Sequence, residues 1–319
     1  MLDLSPEVYF QAIITLSIAY NLFTTYVSLR QFSVYRHQKK MPKCLTGICK
    51  QAEYDKSRAY GHDKMLVDLV FGLIGMVFSL GELYYGMMPW VWGCARTVIV
   101  NYAGQTRLNE YSQSIVFGLI NSLISLPLSL ISGYVSIFYV EQKHGFNKQT
   151  VGLWLKDSIK GFHIGGILQA IINVLLIGTI KWGGQNFYFA TWLAFAIFQI
   201  LMVYIQPNII MPLFNKFTNL EEGELRAKID ALAKKVAFPL TKVFVMDGST
   251  RSSHSNAFFT GLFKDRRIVI FDTMLEQMDH EEICAILAHE LGHWKLSHIV
   301  KRLGASQLYI FTIFYLLAR

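Results

Sequence analysis

Long apolar runs alternate along this chain with short polar stretches that are mostly basic. Five runs, at approximately 8–29, 65–90, 114–140, 163–181 and 187–206, reach the roughly 20 residues that an α-helix needs to cross a bilayer. The first follows "MLDLSPE", which lacks the basic n-region of a cleaved signal peptide, so it reads as a retained span. A sixth run, "SQLYIFTIFYLLAR", starts near Ser306 and stops at Arg319. At 1.5 Å per residue it spans only about 21 Å of a hydrocarbon core of roughly 30 Å.

Between 207 and 305 the pattern changes. "FTNLEEGELRAKIDALAKKV" reads as an amphipathic helix, with Leu225, Ile229, Leu232 and Val236 on one face and Thr218-x-x-Glu221 as its capping box. "KVFVMD" reads as a strand and "GSTRSSHSN" as a polar loop. "AFFTGLF" and "RIVIFDTML" read as a β-hairpin turning at "KD", and Asp279-x-x-Glu282 caps a last helix. The expected architecture is a polytopic α-helical membrane protein. Residues 1–206 hold five spans, 207–305 form a small α/β domain, and 306–319 begin a sixth membrane helix that is cut short.

Charge orients this arrangement. Lys and Arg number nine in 30–64 and four in 141–162, against two in 91–113 and one in 181–186. The positive-inside rule therefore places 30–64 and 141–162 in the cytosol, and five crossings deliver 207–305 there as well. The net charge of +8 is accounted for by these loops and forms no nucleic-acid motif. Charged residues are 16% and hydrophobic ones 53%, unlike a soluble domain. The four cysteines are too scattered for a disulfide framework, and "CLTGIC" lacks the second Cys or His pair of a zinc module.

The candidate chemistry lies in "HELGHWKLSH" at 289–298. His289 and His293 are four apart, so on a helix they project from one face one turn apart. Two such imidazoles can hold zinc, with Glu290 beside them to activate a water for hydrolysis. A catalytic zinc normally takes three protein ligands. The longer metzincin pattern would need Gly at 296 and His at 299, where Leu296 and Ile299 stand. His298 lies nine residues past His289, half a turn off the ligand face of a continuous helix, and reads as a helix-end histidine. No Asp or Glu follows Leu291. Upstream, Glu282 is two turns away along the helix, and Asp272 or His254 could approach only through tertiary folding. The third ligand is thus expected beyond Arg319, with metal binding and activity weakened accordingly.

These stretches together are specific. "RSSHSNAFFTGLFKDRRIVIFDTMLEQ", "EEICAILAHELGHWKLSH" and "EQKHGFNKQTVGLWLKD" resemble the CAAX prenyl protease 1 family over essentially the whole chain. That resemblance implies an integral-membrane zinc endopeptidase that removes the last three residues of prenylated (farnesylated) CAAX proteins. It implies a barrel of seven membrane helices around a water-filled chamber, at the endoplasmic reticulum and, in animals, also the inner nuclear membrane. By matching motif positions, His289 and His293 would be zinc ligands, Glu290 the catalytic glutamate, and Asn256 and Ala257 of "HSNAFF" contacts to the substrate backbone. Five spans and a partial sixth make the chain read as a C-terminally shortened member.

Other polar groups within the apolar runs also need partners. Asp68 and Glu82 sit in the second run, at an interface and facing a chamber respectively. Asn121, Gln169, Asn173 and Gln199 are expected to bond between helices, the alternative being that they line the same chamber. Trp90, Trp92, Trp154, Trp182 and Tyr188 read as interfacial anchors. Two further functions compete with a protease. One is an inactive membrane protein that holds lipidated partners; the other is a transporter, which would leave the HExxH pattern without a role.

Overall fold

A computed structural model describes residues 5–103, 109–261 and 266–318. The chain divides into two units, Met1–Gly145 and Phe146–Arg319. Stretches long and apolar enough to cross a bilayer run over Glu7–His37, Gln51–Tyr84, Glu110–Glu141 and Val151–Phe214. The last of these contains two long helices and a short third one.

In the first unit, helix α1 (Pro6–His37) packs on α2 (Gln51–Tyr84). The second apolar run was expected to continue to residue 90, with a loop over 91–113. Instead α2 stops at Tyr84, the chain turns through Gly86 at φ 64°, and a separate helix α3 (Met87–Ala103) follows. Glycine tolerates that left-handed turn without a Cβ clash. Val91, Ala95 and Ile99, spaced four apart, are buried on α3. Helix α4 (Glu110–Tyr134) packs against α3 and buries Gln113, Ser114 and Gly118. Gln113 donates to the Trp92 carbonyl (2.9 Å), and the Trp92 ring lies edge-on to Phe117. Past its internal Pro127, α4 runs into a π-helical turn at Val135–Glu141.

In the second unit, Thr150 caps α5 (Val151–Gly183), accepting from the Leu153 amide at 3.2 Å. A short turn leads to α6 (Phe187–Ile205), joined to α5 by a bond between the buried Thr191 and Thr179 hydroxyls (2.9 Å). Pro207 cannot donate to the helical ladder, and α6 gives way there to a π turn at Gln206–Ile210 before the short α7 (Met211–Phe214). The polar intrahelical residues divide. Gln199 on α6 does bond across to Ser306 (3.4 Å) and Gln307, whereas Asn121 and Gln169 bond within their own helices.

A four-stranded sheet of order β1-β2-β4-β3 follows: β1 (Phe217–Asn219), β2 (Leu240–Met246), β3 (Ala257–Thr260) and β4 (Arg266–Phe271). β3 and β4 pair antiparallel, Ala257 opposite Ile270, as the hairpin reading expected; the "KD" turn lies outside the described residues. The Thr218 capping box does not form. Thr218 belongs to β1, opposite Val245 of β2, and α8 starts only at Glu224 after Gly223. Strand pairing with β2 satisfies the main chain there better than a free helix end would. The apolar face of α8 (Glu224–Val236) is as expected, with Leu225 and Ile229 buried and Leu232 and Val236 packed on the core.

Helix α9 (Asp272–Gln277) leads to α10 (His280–Lys295), which opens with the expected box. Asp279 accepts from the Glu281 and Glu282 amides at 2.9 Å each, and Glu282 reaches back to the Asp279 amide at 3.0 Å. Ile283, Leu287 and Leu291 of α10 then fill the core with Val243, Ile268, Ile270 and Ile229. Each such side chain contributes about 1.5–3 kcal/mol by leaving water. The last helix, α11 (His298–Leu317), packs on α6 and begins eight residues before the expected Ser306.

Candidate metal centre and substrate cleft

Burial of Ile283, Leu287 and Leu291 decides where the HExxH side chains go. At 100° per residue, His289 and His293 stand about 200° from Leu287 and Leu291, so the core face of α10 turns them outward. His289 is exposed, and Glu290 and His293 are half-buried. Their donor atoms all lie within 4.8 Å of one another, and among the described residues this is the group of metal-ligating type.

The spacing fits one metal ion. The Nε2 atoms of His289 and His293 are 3.2 Å apart, with the rings perpendicular at 88°. Two imidazoles bound at about 2.05 Å in tetrahedral geometry would put their nitrogens about 3.3 Å apart. Among the described residues no upstream group joins them. Asp272 is occupied by the Ser249 amide (2.8 Å) and hydroxyl (2.5 Å), and Glu282 by its cap. The His254 ring stacks on Phe146 at 4.3 Å.

His298 departs from the expectation. The continuous-helix arithmetic that put it half a turn away fails, because α10 ends at Lys295 and Ser297 adopts left-handed φ 55°, ψ 34°. The Ser297 amide bonds back to the Trp294 carbonyl (2.8 Å), and the chain turns so that His298 Nδ1 lies 2.7 Å from His293 Nδ1.

A cavity of about 510 Å³ opens onto this group, lined by Phe258, Phe259, Glu290, His293, His298, Ile299, Lys301 and Arg302. Lys301 and Arg302 were missed in the sequence. With His298 they form an i, i+3, i+4 stripe that appears only once α11 is known to start at His298. A largely apolar hollow of about 390 Å³ shares Phe259 and Ile299 with the cavity and is lined by Ile200, Val203, Trp294 and Leu303, with Arg266 and Lys295 also on its wall. A larger hollow of about 560 Å³ elsewhere on the sheet has no His, Asp or Glu in its lining.

Asn256 and Ala257 enter the edge strand β3. The Asn256 carbonyl accepts from the Phe271 amide (3.0 Å), and its side chain accepts from the Ala257 amide (2.9 Å). The Ala257 methyl is buried in the core and its amide is engaged by Asn256, so its carbonyl is the group open to a ligand. In an antiparallel ladder alternate residues face opposite ways, so Ala257 and Phe259 turn their main-chain groups toward the free edge of the sheet. The loop before β3 is held firmly. The Ser253 amide bonds the Phe146 carbonyl (3.0 Å), and Arg251 bonds Asp157, Asn215 and the Phe214 carbonyl.

Comparison with known proteins gives consistent matches. A family described as CAAX prenyl protease N-terminal, five membrane helices, matches residues 31–216, and peptidase family M48 matches 219–319. The CAAX prenyl protease 1 homolog of Arabidopsis thaliana is 39% identical over 311 residues, covering 96% of this chain and 72% of that protein. The Homo sapiens homolog is 36% identical over 346 residues, covering 97% and 73%. The CAAX prenyl protease 1 of Saccharomyces cerevisiae is 40% identical over 322 residues, covering 97% and 69%. The crystal structure of S. mikatae Ste24p superposes with a TM-score of 0.89 at 39% identity, covering 98% of this chain and 72% of that one.

Proposed function

The chain belongs to the CAAX prenyl protease 1 family of membrane metalloproteases, and on that premise we propose that it removes the C-terminal tripeptide of prenylated CAAX proteins. The observation that carries this reading is one cavity in which an edge strand meets an acid–base group. Phe258 and Phe259 of β3 line it together with Glu290 and His293.

His289 and His293 would hold the metal, zinc in this reading, which when bound acidifies a water and polarises a carbonyl. The remaining work belongs to the chain. Glu290 takes the proton of the attacking water and returns it to the leaving amine. The free edge of β3, with Asn256 and Ala257 at its start, pairs with an extended substrate and lays the scissile bond beside Glu290. Lys301 and Arg302 supply positive charge to the same cavity, which suits a substrate that ends in a free carboxylate. The adjoining, largely apolar hollow suits a lipidated residue.

Residues 1–206 then hold the enzyme in the endoplasmic reticulum membrane, or the inner nuclear membrane, and 207–305 carry the chemistry on the cytosolic side. The basic loops 30–64 and 141–162 support that orientation. A lipid-binding protein without activity is the competing reading. It is separated by incubating the full chain in mild detergent with a farnesylated peptide ending in a CAAX sequence, alongside Glu290→Gln. Release of the tripeptide by the parent, reduced about 10²–10⁴-fold in the variant with peptide binding retained, supports the protease. Binding without release by either chain supports the alternative.

A further inference from the structure

We propose that His298 is a positioning residue for the metal site: it accepts a hydrogen bond from His293 Nδ1–H and so fixes the ring that presents His293 Nε2. The inference rests on the reading of His289 and His293 as metal ligands. It adds a residue to the site that motif and spacing had set aside.

The two nitrogens of His293 face different partners. Nε2 lies 3.2 Å from His289 Nε2, on the side where one ion would be shared, and Nδ1 lies 2.7 Å from His298 Nδ1. A neutral imidazole carries one proton, so it has one donor nitrogen and one acceptor. Metal binding requires Nε2 to be bare, which places the proton of His293 on Nδ1. His298 Nδ1 must then be the acceptor, and the proton of that ring sits on its own Nε2. A single hydrogen bond therefore specifies the tautomers of both rings. It also restrains the His293 plane, with the two ring centroids 4.9 Å apart.

Metal-bound histidines nearly always give their second nitrogen to a carboxylate, a carbonyl or water. The nearest carboxylate in sequence, Glu290, is assigned to the attacking water, and no Asp or Glu occurs from Leu291 to Arg319. An imidazole fills that place here. The fold supplies it through the break at Ser297, which starts α11 with His298 half-buried beside the final turn of α10. Had α10 continued, five residues at 100° would have carried His298 about 140° away from the His293 direction.

The test is the zinc affinity of the full chain in mild detergent, measured by competition with a chromophoric chelator, for the parent, His298→Phe, His298→Asn and His289→Ala. Phe keeps the ring volume but loses the acceptor, while the Asn Oδ1 stands close to where the Nδ1 acceptor was. Expected is a loss of about ten- to a hundredfold in zinc affinity for His298→Phe, with His298→Asn much closer to the parent. Metal-free melting of the two variants should agree, which separates positioning from a packing role. Parent-like affinity in His298→Phe, with zinc lost in His289→Ala, would overturn this inference alone. Equal weakening of both His298 variants would overturn it too. A parent that takes up no zinc would overturn the two-histidine site itself, and with it both readings.

Discussion

Arg251 grips Asp157 with two nitrogens, Nε on one carboxylate oxygen at 2.8 Å and Nη2 on the other at 3.2 Å. The same guanidinium caps the Phe214 carbonyl (2.6 Å) and reaches Asn215 (3.1 Å), so one side chain ties the loop before β3 to α5 and to the end of α7. Both partners are mostly withdrawn from solvent, at 23% and 15% exposure, so salt screens the pair weakly. Arg251→Ala should lower stability by about 2–3 kcal/mol, because it takes the cation from Asp157, which keeps the Gln149 amide at 3.1 Å, and the donor from the Phe214 carbonyl. Arg251→Lys should recover only part of that, since an ammonium cannot make the two-pronged contact. Denaturant melts in detergent measure both, and Lys performing as well as Arg would show that charge alone matters.

Leu287 is 1% exposed on the core face of α10, directly behind the outward-facing histidines. Leu287→Ala should destabilise the sheet domain by about 2–5 kcal/mol through lost burial and the cavity left behind. The resulting freedom of α10 should also weaken zinc retention. A stability loss with unchanged zinc affinity would show that the ligand spacing is held by α10 alone.

Ser297 sits at φ 55°, a region that costs a residue with a Cβ roughly 1–2 kcal/mol. Ser297→Gly should be neutral or stabilising by up to about 1 kcal/mol, as is usual for glycine just past a helix end. Ser297→Val should destabilise, since a β-branched residue is the least suited to that conformation. Zinc affinity, read beside the melting curve, should fall with Val and hold with Gly.

Lys301 and Arg302 border the cavity that holds Glu290. If they receive a terminal carboxylate, the double change to Glu should raise KM for a peptide with a free C-terminus. It should have little effect on the same peptide amidated at that end. Steady-state kinetics with the matched pair decides this, and an equal effect on both peptides would remove the carboxylate from the account.

Cys284 lies on α10, where burial raises its thiol pKa above the ordinary range, helped by the negative charge of Glu281. Less thiolate is present at a given pH, so alkylation at mild alkaline pH should be slower at Cys284 than at the exposed Cys44. The sign for stability follows. The neutral thiol favours the folded state below the usual thiol pKa, and that contribution is lost as pH rises through the raised folded value. Equal labelling rates, followed residue by residue by mass spectrometry, would contradict it.

Much of this protein was fixed by period and composition. Apolar runs of membrane length, the strand signatures, the Asp279 box and the i, i+4 placing of His289 and His293 are local properties, and local spacing is what a sequence records directly. Tertiary pairing decided the rest. Thr218 entered a strand because β2 was there to pair with it, and the second apolar run split because Gly86 permitted a turn that lets α3 lie along α4. His298 reached His293 because Ser297 left the helical region, a single backbone choice that no hydrophobic pattern announces. The histidine pair was therefore legible from spacing alone. The company it keeps, with His298 behind it, Phe258 and Phe259 beside it and Lys301 and Arg302 at the cavity wall, depends on where separate elements meet.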